Sequence, residues 1–329
     1  MEQETQLEKH TLHERMFDEY IWGLKFRPRL IDELVLPPRI KNYLNNIIKE
    51  GRLPNMLLSG PAGTGKSSTA IVLAGMLDLE YLYINASEQT GIDVLRTNVR
   101  QFITNKSWDE TGKVVILDEF DRASPQFQDA LKSTLEQFSK SCSFIFISNH
   151  KNKIIAPLQS RLQTIEFKFT HDESAALKKE FFKNCLRILK LEKVEYSDKV
   201  VAQIVKNVFP DMRKILNELQ KLSQQGMLND ITAVQNNITD VDSFFKIIKN
   251  CKFKELLVYV AQLPGDPQGF YSSLYDNVIK YVESDSVPDF VVLLGKYSYE
   301  SVFVVDSRIN ITSFSTEIMR NCKIKETIE

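Results

Sequence analysis

Cysteine is scarce. The 329-residue chain holds four, Cys142, Cys185, Cys251 and Cys322, scattered without a CxxC pair or a pairing rhythm. That argues against a disulfide framework and a thiolate metal site and leaves buried, reduced thiols as the expectation. Charge of one sign is also lacking: 42 Lys and Arg against 43 Asp and Glu give a net charge of −1. The chain as a whole is therefore no basic nucleic-acid binder, and any DNA contact must come from a local patch or from assembly. No apolar run approaches membrane-spanning length; candidates such as 290–294 (FVVLL) read as strand or helix core. The opening MEQETQLEKH has neither a basic n-region nor an apolar core, so no signal peptide is expected and a cytoplasmic location is. There is no internal repeat and no low-complexity run.

What is present is an ordinary globular balance, 43% hydrophobic and 26% charged, with length for two or three domains. Residues 1–20 carry six acidic groups (Glu2, Glu4, Glu8, Glu14, Asp18, Glu19) against Lys9 and Arg15 and read as an acidic extension. From 21 to 168, short apolar runs alternate with helical periodicity. Strands are predicted at 56–59, 81–85, 113–118, 144–148 and 164–168, and helices at 66–77, 92–104 and 126–139. This alternation predicts an α/β module with a mainly parallel sheet covered on both faces. Helices at 172–191, 198–208 and 211–225 predict a helical unit over 169–235, and a polar stretch at 229–240 marks its end. The remainder, 236–329, reads as mostly helical and mildly acidic, ten Lys and Arg against thirteen Asp and Glu.

The chemistry concentrates in the first module. Gly60-Pro61-Ala62-Gly63-Thr64-Gly65-Lys66-Ser67 fits GxxxxGK[ST] between a strand and a helix, the context that turns the pattern into a phosphate-binding loop. Glycines let the backbone N–H groups curl round phosphates, and the following helix adds its positive end. Lys66 is placed to reach the β- and γ-phosphates and the Ser67 hydroxyl to ligate Mg²⁺. The run Val114-Val115-Ile116-Leu117-Asp118-Glu119 buries a strand and delivers two carboxylates at its C-terminal end, where ligands of open α/β sheets sit. Asp118 suits the Mg²⁺ shell and Glu119 the polarising of an attacking water. These two halves predict a nucleotide hydrolase.

Polar residues at three further places are suggestive. Asn149 closes the strand predicted at 144–148; it reads either as a γ-phosphate or water ligand or as a turn residue. Arg213 and Lys214 follow Asp211, a predicted N-cap, and so fall in a first helical turn that disfavours cations. A phosphate would remove that conflict; a tolerated surface pair is the alternative. Arg161, in the run LQSRLQ at 158–163, has no evident local need for its charge.

Taken together these residues resemble the AAA+ sliding-clamp loader ATPases. The matching runs are WGLKFRP at 22–28, the phosphate loop, NASEQTGIDVLR at 85–96, DEFD at 118–121, QDALKSTLE at 128–136, Ser148-Asn149, Ser160-Arg161 and the Arg213 helix, covering about 21–225 in family order. The DEFDR wording and the length look most similar to the large subunits of tailed-bacteriophage clamp loaders. The resemblance implies a three-helix lid over 169–235 and a helical collar over 236–329 that assembles a ring of four copies plus one different, smaller subunit. It implies ATP and Mg²⁺, with Phe26 and Arg27 beside the adenine and Ser68 completing the nucleotide site. It also implies Asn149 as a first sensor and Arg213 as a second, with Arg161 reaching a neighbour's ATP. Leu162 stands where the family has a cysteine. Partners would be a sliding clamp and primer–template DNA, in the host cytoplasm for a phage-encoded chain. Arg96 and Arg122 become DNA-contact candidates, and Gln128 and Lys132, four apart on one predicted helix face away from the core, coupling candidates. Phe102 and Trp108, large apolar groups beside a loop, become clamp contacts.

Two other readings compete. A different ring motor, a branch-migration helicase or protein remodeller, would share the site; the helicase form is expected to carry a basic C-terminal domain, which the acidic 236–329 does not supply. A nucleotide-locked scaffold would have no need of Glu119.

Overall fold

The computed structural model describes residues 20–87, 92–105, 112–138, 141–229, 241–263 and 267–325, with the side chains of 92–96 left aside. The chain divides into two compact units, 1–228 and 229–329.

The first unit is built on five parallel strands in the order β2-β3-β4-β1-β5: β1 (Met56–Ser59), β2 (Glu80–Asn85), β3 (Lys113–Asp118), β4 (Cys142–Ser148) and β5 (Gln163–Glu166). Parallel strands need crossovers, and helices α1 (Pro38–Glu50), α2 (Lys66–Met76), α3 (Ile92–Thr104) and α4 (Pro125–Phe138) cover the sheet. Alternation along β3, which is paired on both sides, explains the two-sided core. Val114 and Ile116 of β3 join one apolar cluster with Leu58, Ile145 and Leu73, while Val115 and Leu117 join another with Leu57, Phe146 and Leu131.

Three helices follow: α5 (His171–Leu191), α6 (Asp198–Val208) and α7 (Met212–Gln224). Thr170 starts α5 with a reciprocal cap, its Oγ1 accepting from Glu173 N–H at 3.3 Å while Glu173 accepts from Thr170 N–H at 3.0 Å. Asp211 caps α7 as expected, accepting from Lys214 N–H at 2.9 Å, and Ile215, Leu216, Leu219 and Leu222 are its buried stripe. Strand and helix positions agree with the sequence pattern to within a few residues; β4 starts two residues earlier and β5 ends two earlier than expected. Helix α1 has no counterpart in the pattern reading.

In the second unit the described elements are helices joined by turns, apart from one isolated bridge: α8 (Val241–Lys249), α9 (Phe253–Gln262), α10 (Pro267–Tyr281), α11 (Val287–Glu300) and α12 (Ser307–Asn321). The FVVLL run lies inside α11. Its core is aromatic: Phe245 stacks on Tyr281 at 4.5 Å, and Phe314 meets Tyr271 edge-on at 5.1 Å. No helix among the described residues is long and apolar enough to cross a membrane.

Candidate active site

The C-terminal ends of β1, β3 and β4 lie side by side, so three separate stretches of sequence deliver their polar residues to one place. The loop after β1 needs its glycines for different reasons. A Cβ on Gly60 would stand 2.8 Å from the Phe167 Cβ; on Gly63, where φ is +70°, it would stand 1.8 Å from the Asp211 carboxylate. Thr64 is fully buried and donates to the Pro61 carbonyl at 2.9 Å, folding the loop on itself beneath exposed Pro61 and Ala62.

Lys66 is buried at the start of α2. Its Nζ donates to the carbonyls of Gly60 (2.8 Å) and Pro61 (2.6 Å) and to Asn149 Oδ1 (2.9 Å). Burial pushes its pKa down to about 8, against the pull of Asp118 and Asp121, with Arg213 pushing the same way as burial. Ser67 donates to Asp118 Oδ2 at 2.7 Å, and the Glu119 N–H donates to Asp118 Oδ1 at 2.7 Å. Hydroxyl and carboxylate oxygens so paired are the hard donors that suit a Mg²⁺ held mainly by phosphates and water; no cluster of three His, Cys, Asp or Glu exists among the described residues.

Glu119 adopts left-handed backbone angles (φ 51°, ψ 35°) as the strand breaks, which turns its side chain off the strand line. Arg122 Nη1 lies 3.3 Å from its carboxylate, with the arginine 65% exposed.

The lid helices close over this loop. Met212 N–H donates to the Gly63 carbonyl at 3.0 Å, and a cleft of about 270 Å³ is lined by Phe26, Arg27, Gly63, Gly65, Lys66, Ser67, Ser68 and Arg213. The segment before α1 is tied to the lid as well, Trp22 N–H to Gln220 Oε1 at 3.1 Å and Lys25 to Glu192 at 2.5 Å.

Arg161 is not among the residues lining this cleft. Its guanidinium instead holds Glu136 of α4, so a local partner exists where the sequence suggested none. Leu162 is buried in the apolar cluster of Phe120, Phe146 and Leu158, which gives an apolar residue here a packing role.

Gln128 departs from expectation. It is 1% exposed, not on a face turned from the core: its amide donates to Ala123 and Lys153 carbonyls, each at 3.1 Å, and accepts from Ile155 N–H at 2.9 Å. The reason is that a helix face four residues wide need not be uniform: Lys132, on the same face, is half-exposed and pairs with Asp129 at 2.5 Å. Phe102 is half-buried against the core, with Lys113 Nζ 5.1 Å from its ring centre. Arg96 lies within α3, but its side chain is outside the described set; Trp108 lies outside the described residues altogether.

Two residues of the site went unforeseen. The Tyr83 hydroxyl donates to Asp118 Oδ2; burial first, then that hydrogen bond, pushes its phenol above the ordinary range. Asp121 accepts from Asn149 N–H at 3.2 Å, bracing the end of β4. The pairing of β2 with β3 brings Tyr83 into reach, and strand order is not written in the sequence.

Sheet, loop and carboxylate pair define a P-loop nucleotide-binding ATPase. Residues 56–169 match the ATPase family associated with various cellular activities (AAA), and residues 173–231 match the AAA+ ATPase lid domain of sliding-clamp-loader large subunits. The sliding-clamp-loader large subunit of Enterobacteria phage T4 is 32% identical over 284 residues, 84% of this chain and 89% of that protein. That of Escherichia phage RB69 is 33% identical over 79% and 84%. The replication factor C small subunit of Saccharolobus solfataricus is 37% identical over 73% and 69%. The chain belongs to the sliding-clamp-loader family of AAA+ ATPases. Among solved structures, the Thermotoga maritima RuvB Holliday junction branch migration motor aligns with a TM-score of 0.53 at 21% identity, covering 68% of this chain and 79% of that one, a likeness of fold alone.

Proposed function

We propose that this chain is the ATP-hydrolysing motor of a clamp loader that opens a sliding clamp and releases it on primer–template DNA. The observation that carries the reading is the convergence of Lys66, Ser67, Asp118 and Asn149 under a lid bonded to the phosphate loop, while Arg161 stands outside the cleft. In this reading Lys66 leaves the loop carbonyls for the β- and γ-phosphates. Asn149, released from Lys66, turns to the γ-phosphate or the water, and Glu119 polarises that water. Ser67 and Asp118 would hold Mg²⁺, which supplies charge neutralisation at the transferred phosphoryl group when bound. Arg213 meets the phosphates from the lid, and Phe26 and Arg27 flank the base. Arg161 serves the next subunit's ATP; in-trans arginines are worth about 10³–10⁵ in rate in other NTPases, so the lone chain should hydrolyse poorly.

The organisation that accompanies this reading is an extension at 1–20, a nucleotide module at 21–168, a lid at 169–235 and a collar at 236–329, in a ring of four copies with one different, smaller subunit. Exposed Val292, Tyr299, Val302, Phe303, Val305 and Ile309 support assembly through the last segment, since a soluble surface rarely leaves so many apolar groups uncovered. Arg96 and Arg122 would meet DNA phosphates, giving affinity without sequence reading; a phosphate that took Arg122 would free Glu119. Phe102 and Trp108 would engage the clamp.

The test is ATP hydrolysis with clamp and primer–template DNA supplied separately and together. Synergistic stimulation is expected; stimulation by neither sinks the proposal.

A further inference from the structure

Arg161 is held by Glu136, a residue of α4 to which no part in the nucleotide site has been given. Its Nε and Nη2 donate to Glu136 Oε1 at 3.0 and 2.8 Å, and its Nη1 donates to the Pro157 carbonyl at 2.6 Å. A guanidinium carries five N–H groups in a rigid fork. Glu136 occupies the Nε–Nη2 edge and Pro157 one hydrogen of Nη1. Two hydrogens are left without a partner among the described residues, one on each terminal nitrogen, the number a bidentate contact with a phosphate uses.

The backbone beneath this fork is equally fixed. Gln128 and Glu136 lie on the same helix, α4, about 12 Å apart along its axis at ~1.5 Å per residue. Gln128 takes the Lys153 carbonyl and the Ile155 N–H, and Gln159 Nε2 donates to the carbonyls of Lys151 (3.0 Å) and Ile154 (2.7 Å). Leu158 and Leu162, on either side of the arginine, are buried in the apolar cluster below. One helix thus grips the arginine's segment at its start and the arginine itself at its end.

We propose that Glu136 is a positioning residue for hydrolysis in the adjoining subunit: it sets the Arg161 fork so that its outer N–H groups meet the neighbour's γ-phosphate. The inference rests on the reading of Arg161 as acting in trans. The ion pair is solvent-exposed, with side chains 40% and 62% accessible, and such pairs add little to fold stability. Its effect should therefore be seen in rate.

The experiment compares Glu136→Ala and Glu136→Gln, each with and without Arg161→Ala, in the assembled loader with its clamp and primer–template DNA. Glu136→Ala is expected to lower stimulated kcat about tenfold, short of the ~10²-fold that a 1 Å misplacement can cost, with KM for ATP and Tm unchanged. Glu136→Gln, which keeps an acceptor oxygen without the charge, should fall between. In the Arg161→Ala background Glu136→Ala should cost nothing further, because the two act as one unit. Unchanged kcat in Glu136→Ala, or the same tenfold loss on top of Arg161→Ala, overturns the proposal. If Arg161→Ala alone retains full stimulated hydrolysis, the in-trans reading itself fails, and that outcome is distinct from the other two.

Discussion

Replacing Gly63 by alanine strikes the phosphate loop and the lid at once. Its φ of +70° disfavours a Cβ, and the added atom would stand 1.8 Å from Asp211 Oδ1 and 2.9 Å from the Asp211 Cα. Strained backbone costs about 1–3 kcal/mol. Driving Asp211 away also strips the cap of α7, worth about 0.5–2 kcal/mol, and stretches the Met212 N–H bond to the Gly63 carbonyl, about 1 kcal/mol. Partial relaxation will recover some of this, so a loss of about 2–4 kcal/mol from lid docking is expected. Because docking carries Arg213 to the cleft, nucleotide affinity should fall by roughly 30-fold or more, since 1.4 kcal/mol is a factor of ten. Binding of a fluorescent ATP analogue reads the affinity and chemical denaturation reads the stability. Gly63→Ala with Asp211→Ala removes the carboxylate but not the backbone contact, and should regain part of the affinity lost. Affinity within twofold of the original in the single variant would refute the reasoning, and a double variant no better than the single one would remove the lid from it.

Lys66 supplies a pH signature: with its folded pKa near 8 against an ordinary 10.5, the unfolded chain holds the extra proton between those values. Stability should therefore rise with pH across that window by an increment that Lys66→Met abolishes, measured as the difference between the two denaturation curves; parallel curves would contradict it. Gln128→Ala removes a buried amide and strands two part-buried carbonyls and one part-buried N–H, and should cost about 2–4 kcal/mol in denaturation experiments; a loss below about 1 kcal/mol would mean water replaces the amide. Tyr83→Phe removes one of three hydrogen bonds on the Asp118 carboxylate, and should weaken Mn²⁺ binding to the complex with a non-hydrolysable ATP analogue about tenfold. An unchanged Mn²⁺ titration would reduce the tyrosine to packing.

Much of the first unit was legible because its signals are local. A buried run such as 114–117 needs only apolar residues in sequence, and the phosphate loop announces itself through spacing within eight residues. Asp211 at a helix start was equally readable, since capping is decided by neighbours three residues away. What escaped depends on strand order and on surfaces meeting: Tyr83 reaches Asp118 only because β2 lies beside β3, and Asp211 fills the space at Gly63 only because the lid closes. Gln128 escaped for another reason. Helical periodicity sorts residues by polarity, and a buried amide that closes three backbone groups looks identical to an exposed one. Arg161 likewise showed no partner in sequence, because Glu136 lies 25 residues away on a different element.

The apolar cluster beneath Leu162 also contains Phe120, the residue next to Glu119. One packed body therefore lies beneath both Glu119, proposed to activate water in this chain's own site, and Arg161, proposed to serve the next. Close-packed interiors transmit displacement and do not absorb it, so a shift at Glu119 on hydrolysis would be felt at Arg161. In a ring, such a coupling wires the sites in series, with each subunit's turnover reported in one direction to a single neighbour. Firing order around the assembly would then be a property of how the cluster that holds Phe120 and Leu162 is packed.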